Sequence, residues 1–228
     1  MAKIVISEFM SLDGVVEDPA GVEGFKHGGW TLQSDGGEEG GERRGLGQAD
    51  PGQPLRRIPI AIAEYLLREA LGTEALLLGR ITYEQFAARW PSRDGEFADK
   101  FNSLPKYVVS STLEDAEWNN SKVLAGDVVD EVSTLKRELD GEIVVYGSIR
   151  LARALIEHDL ADELRLMLYP VVLGAGERLF GETSDKKDMR LVDTKTVAGG
   201  VAILTYEPVR DPGQGTQHVP DMIGSQAA

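Results

Sequence analysis

The sequence predicts an α/β fold with a mixed, mostly parallel sheet of about eight strands that closes with an antiparallel hairpin. Short β-branched runs alternate with amphipathic stretches through the earlier part of the chain. The final part is rich in strands rather than helices, which an all-parallel, doubly wound sheet would not be. Gly199-Gly200 separates two of these late strands and supplies a tight hairpin turn.

Strands and helices are assigned from apolar periodicity and from the turn residues between them. The predicted strands cover Lys3–Phe9, Ala75–Leu78, Lys106–Ser110, Lys122–Ala125, Glu142–Tyr146, Glu163–Leu173, Arg190–Val197 and Val201–Glu207. The predicted helices cover Ile58–Leu71, Tyr83–Trp90, Val128–Leu139 and Ile149–His158. We predict one domain over residues 1–207, with a flexible insertion near 33–57 and a disordered tail over 208–228. Both segments are too poor in apolar residues to offset the entropy of ordering.

Composition excludes several classes of catalytic chemistry and of binding partner. The chain has 228 residues, no cysteine and a formal net charge of −14. Without cysteine there are no disulfides, thiol nucleophiles or cysteine-ligated metals, which is compatible with the cytoplasmic location we expect. Nucleic acid and anionic membranes would repel such a charge, so we expect a small-molecule substrate and neither of those partners. The three histidines are scattered along the chain, and no metal site is expected.

The most informative stretch is Gly79-Arg80-Ile81-Thr82, where a buried strand ends and a helix follows. Thr82 and Gln85 have the spacing of a capping box, which predicts Thr82 as the N-cap. The free amides of that first turn, together with Arg80, would form a site for a phosphate group. The same spacing is equally compatible with an ordinary, well-capped strand-to-helix joint.

Two further joints follow the same logic. Gly147 permits close approach of the backbone to a ligand, and Ser148 can cap the helix that follows or bind a phosphate oxygen. Ser110 and Ser111 place small hydroxyl residues directly after another strand. Because ligands of α/β sheets bind outside the carboxyl ends of the strands, three such joints favour one extended ligand site.

These motifs resemble those of a known family. The stretch from Gly79 to Glu84 is similar to the Gly-Arg-x-Thr-Trp/Tyr-Glu motif of dihydrofolate reductases. Ser11-Leu12-Asp13-Gly14 and the segment 170–176 resemble instead the C-terminal reductase domain of the riboflavin biosynthesis deaminase-reductase, the 5-amino-6-(5-phosphoribosylamino)uracil reductase. The resemblance implies a three-layer, dihydrofolate reductase-like fold, NADPH as cofactor and a homodimer. It implies an NADPH-dependent reductase of a small pyrimidine- or pterin-like heterocycle.

The resemblance also implies roles for individual residues. The cofactor pyrophosphate would be held by two groups, Gly79, Arg80, Ile81 and Thr82 in the first joint and Gly147, Ser148, Ile149 and Arg150 in the second. Ser110 and Ser111 would meet the adenosine ribose and its 2′-phosphate, which favours NADPH over NADH. Leu173 and Gly174 would lie at the substrate end. Apart from the resemblance, Trp30 is a candidate to wall the pocket by stacking on a flat substrate, and an ordinary core or interface tryptophan is the open alternative.

Reduction also needs a proton, and two carboxyl groups are candidates for supplying it. Asp13 and Glu64 would serve as catalytic acids if burial raises their pKa. Val15 stands where riboflavin-pathway reductases have lysine, which weakens the case for a ribose-phosphate pyrimidine substrate. Two alternatives stay open: a true dihydrofolate reductase, which the Ser-Leu-Asp-Gly start disfavours, and an NADPH-binding module without catalysis or with a regulatory role.

Overall fold

The computed structural model describes residues 1–34 and 56–210. Its centre is an eight-stranded sheet in the order β6-β5-β4-β7-β1-β8-β10-β9. The strands of this sheet are β1 (Lys3–Ser11), β4 (Thr73–Gly79), β5 (Lys106–Val109), β6 (Ser121–Leu124), β7 (Glu142–Tyr146), β8 (Glu163–Tyr169), β9 (Met189–Val197) and β10 (Val201–Pro208). The helices are α1 (Ile60–Gly72), α2 (Arg80–Ala87), α3 (Glu96–Ser103), α4 (Val128–Glu138) and α5 (Ile149–Glu157). Two short strands, β2 (Gln33–Ser34) and β3 (Arg56–Arg57), pair with each other.

Strand directions confirm the predicted fold class. Every neighbouring pair from β6 across to β8 is parallel, and β10 is antiparallel to both β8 and β9. The turn of the last hairpin places Gly199 at φ 79° and Gly200 at φ 75°, a conformation that glycine adopts without steric cost. The late strands therefore close the sheet as an antiparallel hairpin.

The sheet is covered on both faces, which gives three layers. On one face Ile4 and Ile6 of β1 pack with Leu135 of α4 and Leu155 of α5. On the other face the side chains of β4 and β5 pack against α2 and α3, and those of β8 and β10 pack against α1. Burying each such aliphatic side chain contributes about 1.5–3 kcal/mol, so the central strands hold both helical layers in place.

Some predicted boundaries were wrong. Helix α2 begins at Arg80, three residues before the predicted start, and β8 ends at Tyr169, because Pro170 has no N–H to donate to a ladder. Helix α3 was not predicted at all. Residues 208–210, assigned to the tail, are held in place: Pro208 belongs to β10, and an Arg210 guanidinium nitrogen donates to Asp162 Oδ1 at 2.7 Å. The predicted insertion and tail otherwise fall on 35–55 and 211–228, outside the described residues.

The strand β9 forms one edge of the sheet, and most of its side chains are exposed, including Leu191 and Val192. The homodimer that the resemblance implies stays a prediction. In the part of the chain that the structure describes, no helix has the length and apolar character needed to span a bilayer.

Candidate functional site

The three predicted joints come together at one edge of the sheet. Strands β5, β4, β7 and β1 are neighbours and run parallel, so their carboxyl ends lie side by side. Along this edge stand, in order, Ser110 and Ser111, the segment from Gly79 to Thr82, the segment from Gly147 to Arg150, and Leu12 with Asp13. The residues predicted to bind a cofactor therefore form a single row.

Two of the joints are tied to each other by reciprocal hydrogen bonds. The Gly79 N–H donates to Ser148 Oγ at 2.9 Å, and the Ser148 N–H donates to Thr82 Oγ1 at 3.0 Å. Thr82 is therefore not the predicted N-cap of α2, because its hydroxyl is used between the joints and Gly79 occupies the cap position. Ser148 has φ 61°, which is uncommon for a residue with a side chain, and the two bonds hold it there.

The first turns of α2 and α5 face this edge without side-chain caps. Their amide groups thus lack the usual intrahelical or capping partners and carry the partial positive charge of the helix dipole. Glycine brings the two turns close: a Cβ on Gly147 would lie 3.3 Å from Thr82 Oγ1, and one on Gly79 would lie 3.5 Å from Ser148. Two adjacent helix N-termini are an arrangement whose free amides and dipoles favour phosphate groups.

Charged side chains around this site are mostly exposed. Arg80 forms an i,i+4 ion pair with Glu84 at 3.3 Å, with both side chains about half exposed, and Arg150 is exposed as well. Such a surface pair is worth little, so Arg80 can leave Glu84 for a ligand phosphate at small cost.

The end of the row predicted to meet the adenosine has fewer basic side chains than the region around Arg80 and Arg150. The Ser110 hydroxyl accepts hydrogen bonds from the Thr112 and Leu113 amides at 3.2 and 3.0 Å, and Ser111 is exposed. Three exposed carboxylates follow in the same loop, Glu114, Asp115 and Glu117. These carboxylates oppose a 2′-phosphate electrostatically, and Arg80 is the cation of the motif that would offset them.

Asp13 joins two segments at the end of β1. Its carboxylate accepts hydrogen bonds from the Leu173 N–H at 3.1 Å, the Gly174 N–H at 2.9 Å and the Ser11 hydroxyl at 2.8 Å. The bond from Leu173, followed by that from Ser11, lowers the pKa of Asp13 to about 2. The expectation that burial raises its pKa was wrong, and an ionised Asp13 clamps the loop 173–174 rather than donating a proton.

Replacing Asp13 with asparagine should make the free energy of unfolding depend less steeply on pH in the acid range. The folded pKa of about 2 lies below the ordinary 3.8, so the folded state binds fewer protons than the unfolded state between these values. The contribution of Asp13 is therefore present above about pH 4 and is lost as the pH falls through about 2. Urea unfolding of both proteins at several pH values in this window measures it. Equal slopes in wild type and Asp13→Asn would contradict the clamp.

Glu64, the second predicted acid, is exposed on α1, whereas Glu69 on the same helix is buried. Oε2 of Glu69 accepts hydrogen bonds from the Tyr146 hydroxyl at 2.7 Å and the Ser7 hydroxyl at 2.9 Å, and its Oε1 meets Arg165 at 3.2 Å. Burial raises the pKa of Glu69, against the effect of these partners. A signal existed in the sequence, because Glu69 occupies an i+7 position in the apolar stripe that begins at Ile62.

Sequence reasoning also missed Glu8 of β1, which is buried and has a pKa raised well above its ordinary value by burial. Strand alternation could have found it, because Ile4, Ile6 and Met10 share its face of the strand. A buried glutamate without a partner costs free energy, and that cost is smaller for the neutral acid.

Trp30, predicted to wall the substrate pocket, lies beside the end of β8. Its ring packs edge-on against Tyr169 with centroids 5.6 Å apart, and its indole N–H donates to the Glu17 carbonyl at 2.9 Å. The half-buried ring is fixed by these contacts. Among the described residues, no group of three or more histidine or acidic side chains is arranged to hold a metal ion.

Comparison with known proteins agrees with this geometry. Residues 2–203 match the family model of the RibD C-terminal domain. The uncharacterized protein YyaP of Bacillus subtilis is 29% identical over 138 residues, covering 58% of this chain and 73% of its own length. YwjB of the same organism is 25% identical over 130 residues, covering 57% and 71%.

Solved structures share the fold at low sequence identity. A protein of Shewanella sp. PV-4, named provisionally for riboflavin biosynthesis, has a TM-score of 0.62 at 20% identity, covering 92% of this chain and 100% of its own. The dihydrofolate reductase of Enterococcus faecalis, complexed with NADP(H), has a TM-score of 0.54 at 14% identity, covering 90% and 96%. With its fold and its family match in agreement, the chain belongs to the RibD C-terminal domain family.

Proposed function

We propose that the protein binds NADPH along the carboxyl edge of its sheet and uses it to reduce a small pyrimidine- or pterin-like heterocycle. The observation that carries the proposal is the pair of uncapped helix N-termini, α2 and α5, tied together by Gly79, Thr82 and Ser148. Family membership supports it, as does the likeness to a dihydrofolate reductase fold that holds NADP(H). A net charge of −14 disfavours anions in general, so the local amides and arginines must supply the attraction.

When bound, NADPH would supply the hydride, and the protein supplies position and electrostatics. The first-turn amides of α2 and α5 would hold the pyrophosphate, with Gly79 and Gly147 permitting the close approach. Arg80, Ser110 and Ser111 would meet the ribose 2′-phosphate. At the other end of the row, Asp13 holds Leu173 and Gly174 against β1, and the ring of Trp30, fixed by its hydrogen bond to Glu17, would wall the substrate side.

Nucleotide titration of the purified protein tests the proposal. NADPH should quench tryptophan fluorescence and raise Tm, and it should bind about tenfold more tightly than NADH because Arg80 can pair with the 2′-phosphate. Arg80→Ala should remove that preference while leaving NADH affinity within about threefold. Folded protein that binds neither nucleotide would refute the proposed function.

Gly79→Ala gives a matched structural test of the same site. Gly79 has φ −79° and ψ 159°, an ordinary conformation, so alanine should leave Tm nearly unchanged. Its added methyl group would stand between the two turns, 3.5 Å from Ser148, where the pyrophosphate would sit. We expect NADPH affinity to fall about tenfold or more. Unchanged affinity would place the nucleotide elsewhere.

A binding module without catalysis remains the second candidate, and one observation favours it. Hydrogen bonds lower the pKa of Asp13 to about 2, which keeps it ionised, and Glu64 lies exposed on α1 rather than buried as a proton donor was expected to be. Oxidation of NADPH, followed at 340 nm with pterins and aminopyrimidines, separates the two candidates, because only the reductase turns over.

A further inference from the structure

The strand β1 runs past the end of its neighbour β7. Their last paired residues are Ser7 and Tyr146, whereas β1 stays paired with β8 as far as Ser11. Glu8 is the first residue of β1 that has no paired residue in β7. Next to it, the chain leaves β7 and passes through Gly147 into α5. On its other side Glu8 pairs with Leu166. Glu8 therefore stands at the gap that opens between β7 and β1 at the carboxyl edge.

One carboxyl oxygen of Glu8 is buried without a hydrogen-bond partner among the described residues. The residue is 5% exposed, and its Oε1 has no hydrogen bond to any residue that the structure describes. Its neighbours on the same face of β1, Ile6 and Met10, belong to the apolar core with Leu151 of α5. Removing such a group from water without a hydrogen bond costs free energy, so an orphaned buried carboxyl calls for an explanation.

Chemistry restricts what Glu8 can bind. No cation among the described residues pairs with Glu8, and burial raises its pKa and so favours the neutral acid. A neutral carboxyl has one O–H donor and a carbonyl acceptor side by side. This pair complements a primary carboxamide, which offers an N–H donor beside a carbonyl acceptor, and it does not complement a phosphate.

The position of Glu8 at the end of the row indicates which carboxamide it would bind. The row of ligand groups runs from Ser110 through the two helix N-termini to β1, so a dinucleotide with its adenosine at Ser110 would bring its other end to the gap at Glu8. We propose that Glu8 binds the nicotinamide carboxamide of NADPH through two hydrogen bonds and so orients the ring. This assignment rests on the proposed function.

Two substitutions separate this role from others. Glu8→Gln keeps a donor beside an acceptor, so it should retain NADPH affinity within about threefold; a Glu8 that served as the proton donor would instead lose turnover in this variant. Glu8→Leu removes both groups and replaces an unpaired polar side chain with an apolar one. It should raise the Tm of the ligand-free protein, since the cost of the buried carboxyl disappears.

The experiment titrates wild type and both variants with NADPH and, separately, with adenosine 2′,5′-bisphosphate, which lacks the nicotinamide. In Glu8→Leu we expect NADPH affinity to fall about tenfold, as loss of two buried hydrogen bonds implies, with bisphosphate affinity unchanged. Unchanged NADPH affinity in Glu8→Leu would overturn the assignment. Loss of both affinities with a lowered Tm would show a structural role and would overturn it too. Failure of wild type to bind NADPH refutes the proposed function itself, and is seen without any variant.

Discussion

Replacing Arg165 with leucine should lower the free energy of unfolding by about 3–5 kcal/mol, the usual cost of breaking a buried ion pair from one side. The guanidinium of Arg165 lies among three carboxylates, with one nitrogen 3.2 Å from Glu69, another 2.7 Å from Glu142 and the third on Glu163. The side chains of Glu69 and Glu163 are 2% and 7% exposed. Without the cation, buried like charges would face each other, and water would have to enter or the carboxyls would have to take up protons.

Urea unfolding monitored by fluorescence measures this effect, and Arg190→Leu is its matched control. Arg190 also pairs with a glutamate, Glu207 at 2.7 Å, but its side chain is 66% exposed. An exposed pair contributes little, so the control should change stability by no more than about 0.5–1 kcal/mol. Similar losses in both variants would contradict the view that burial sets the value of the Arg165 network.

The second large effect is expected at Phe101, whose truncation to alanine should cost about 3–5 kcal/mol through lost burial and an unfilled cavity. The Phe101 side chain is 2% exposed and contacts a cluster of aromatic rings. Its ring centroid lies 4.9 Å from Trp90, 5.2 Å from Phe97 and 5.8 Å from Tyr146. Through Tyr146 this cluster supports the strand that leads into Gly147, so the variant should also weaken NADPH binding.

Thermal unfolding of Phe101→Ala, beside Phe180→Ala, measures the contribution. Phe180 is 48% exposed, and its truncation should change stability by only about 0.5 kcal/mol. If Phe101→Ala proved as mild as this control, the aromatic cluster would not be a packed core, and α3 would not be needed to hold the sheet.

The row of strand-to-helix joints could be predicted from the sequence because its signals are local. Where a strand ends at glycine and a helix follows, the residues that indicate the turn are adjacent in sequence, as at Gly79 and Gly147. The order of the joints then follows from parallel strand pairing. The cap at Thr82 was mispredicted because capping-box spacing does not reveal that a distant amide, that of Ser148, will use the hydroxyl.

Helix α3 lies beyond local signals, and local periodicity marks the buried acids without giving their partners. The eight residues of α3 are too few to form a stable helix alone, and only the aromatic cluster around Phe101 makes the helix favourable. Glu64 and Glu69 lie five positions apart on one helix, and apolar periodicity places only Glu69 on the buried face; that it meets Tyr146 and Arg165 follows from the fold alone. Which carboxyl keeps a proton depends on burial, and burial is a property of the packed layers.

By itself, then, the amino-acid sequence determined the alternation of strands and helices, the closing hairpin at Gly199-Gly200 and the positions of the strand-to-helix joints, since each depends on residues close together in the chain. Only the tertiary structure decided that Ser148 and Thr82 bind each other, that Asp13 is a clamp with a low pKa, and that Glu8 is a buried carboxyl at the gap between β7 and β1. The physical reason is that hydrogen-bond partners and desolvation are set by groups distant in sequence, which only the folded sheet brings into contact.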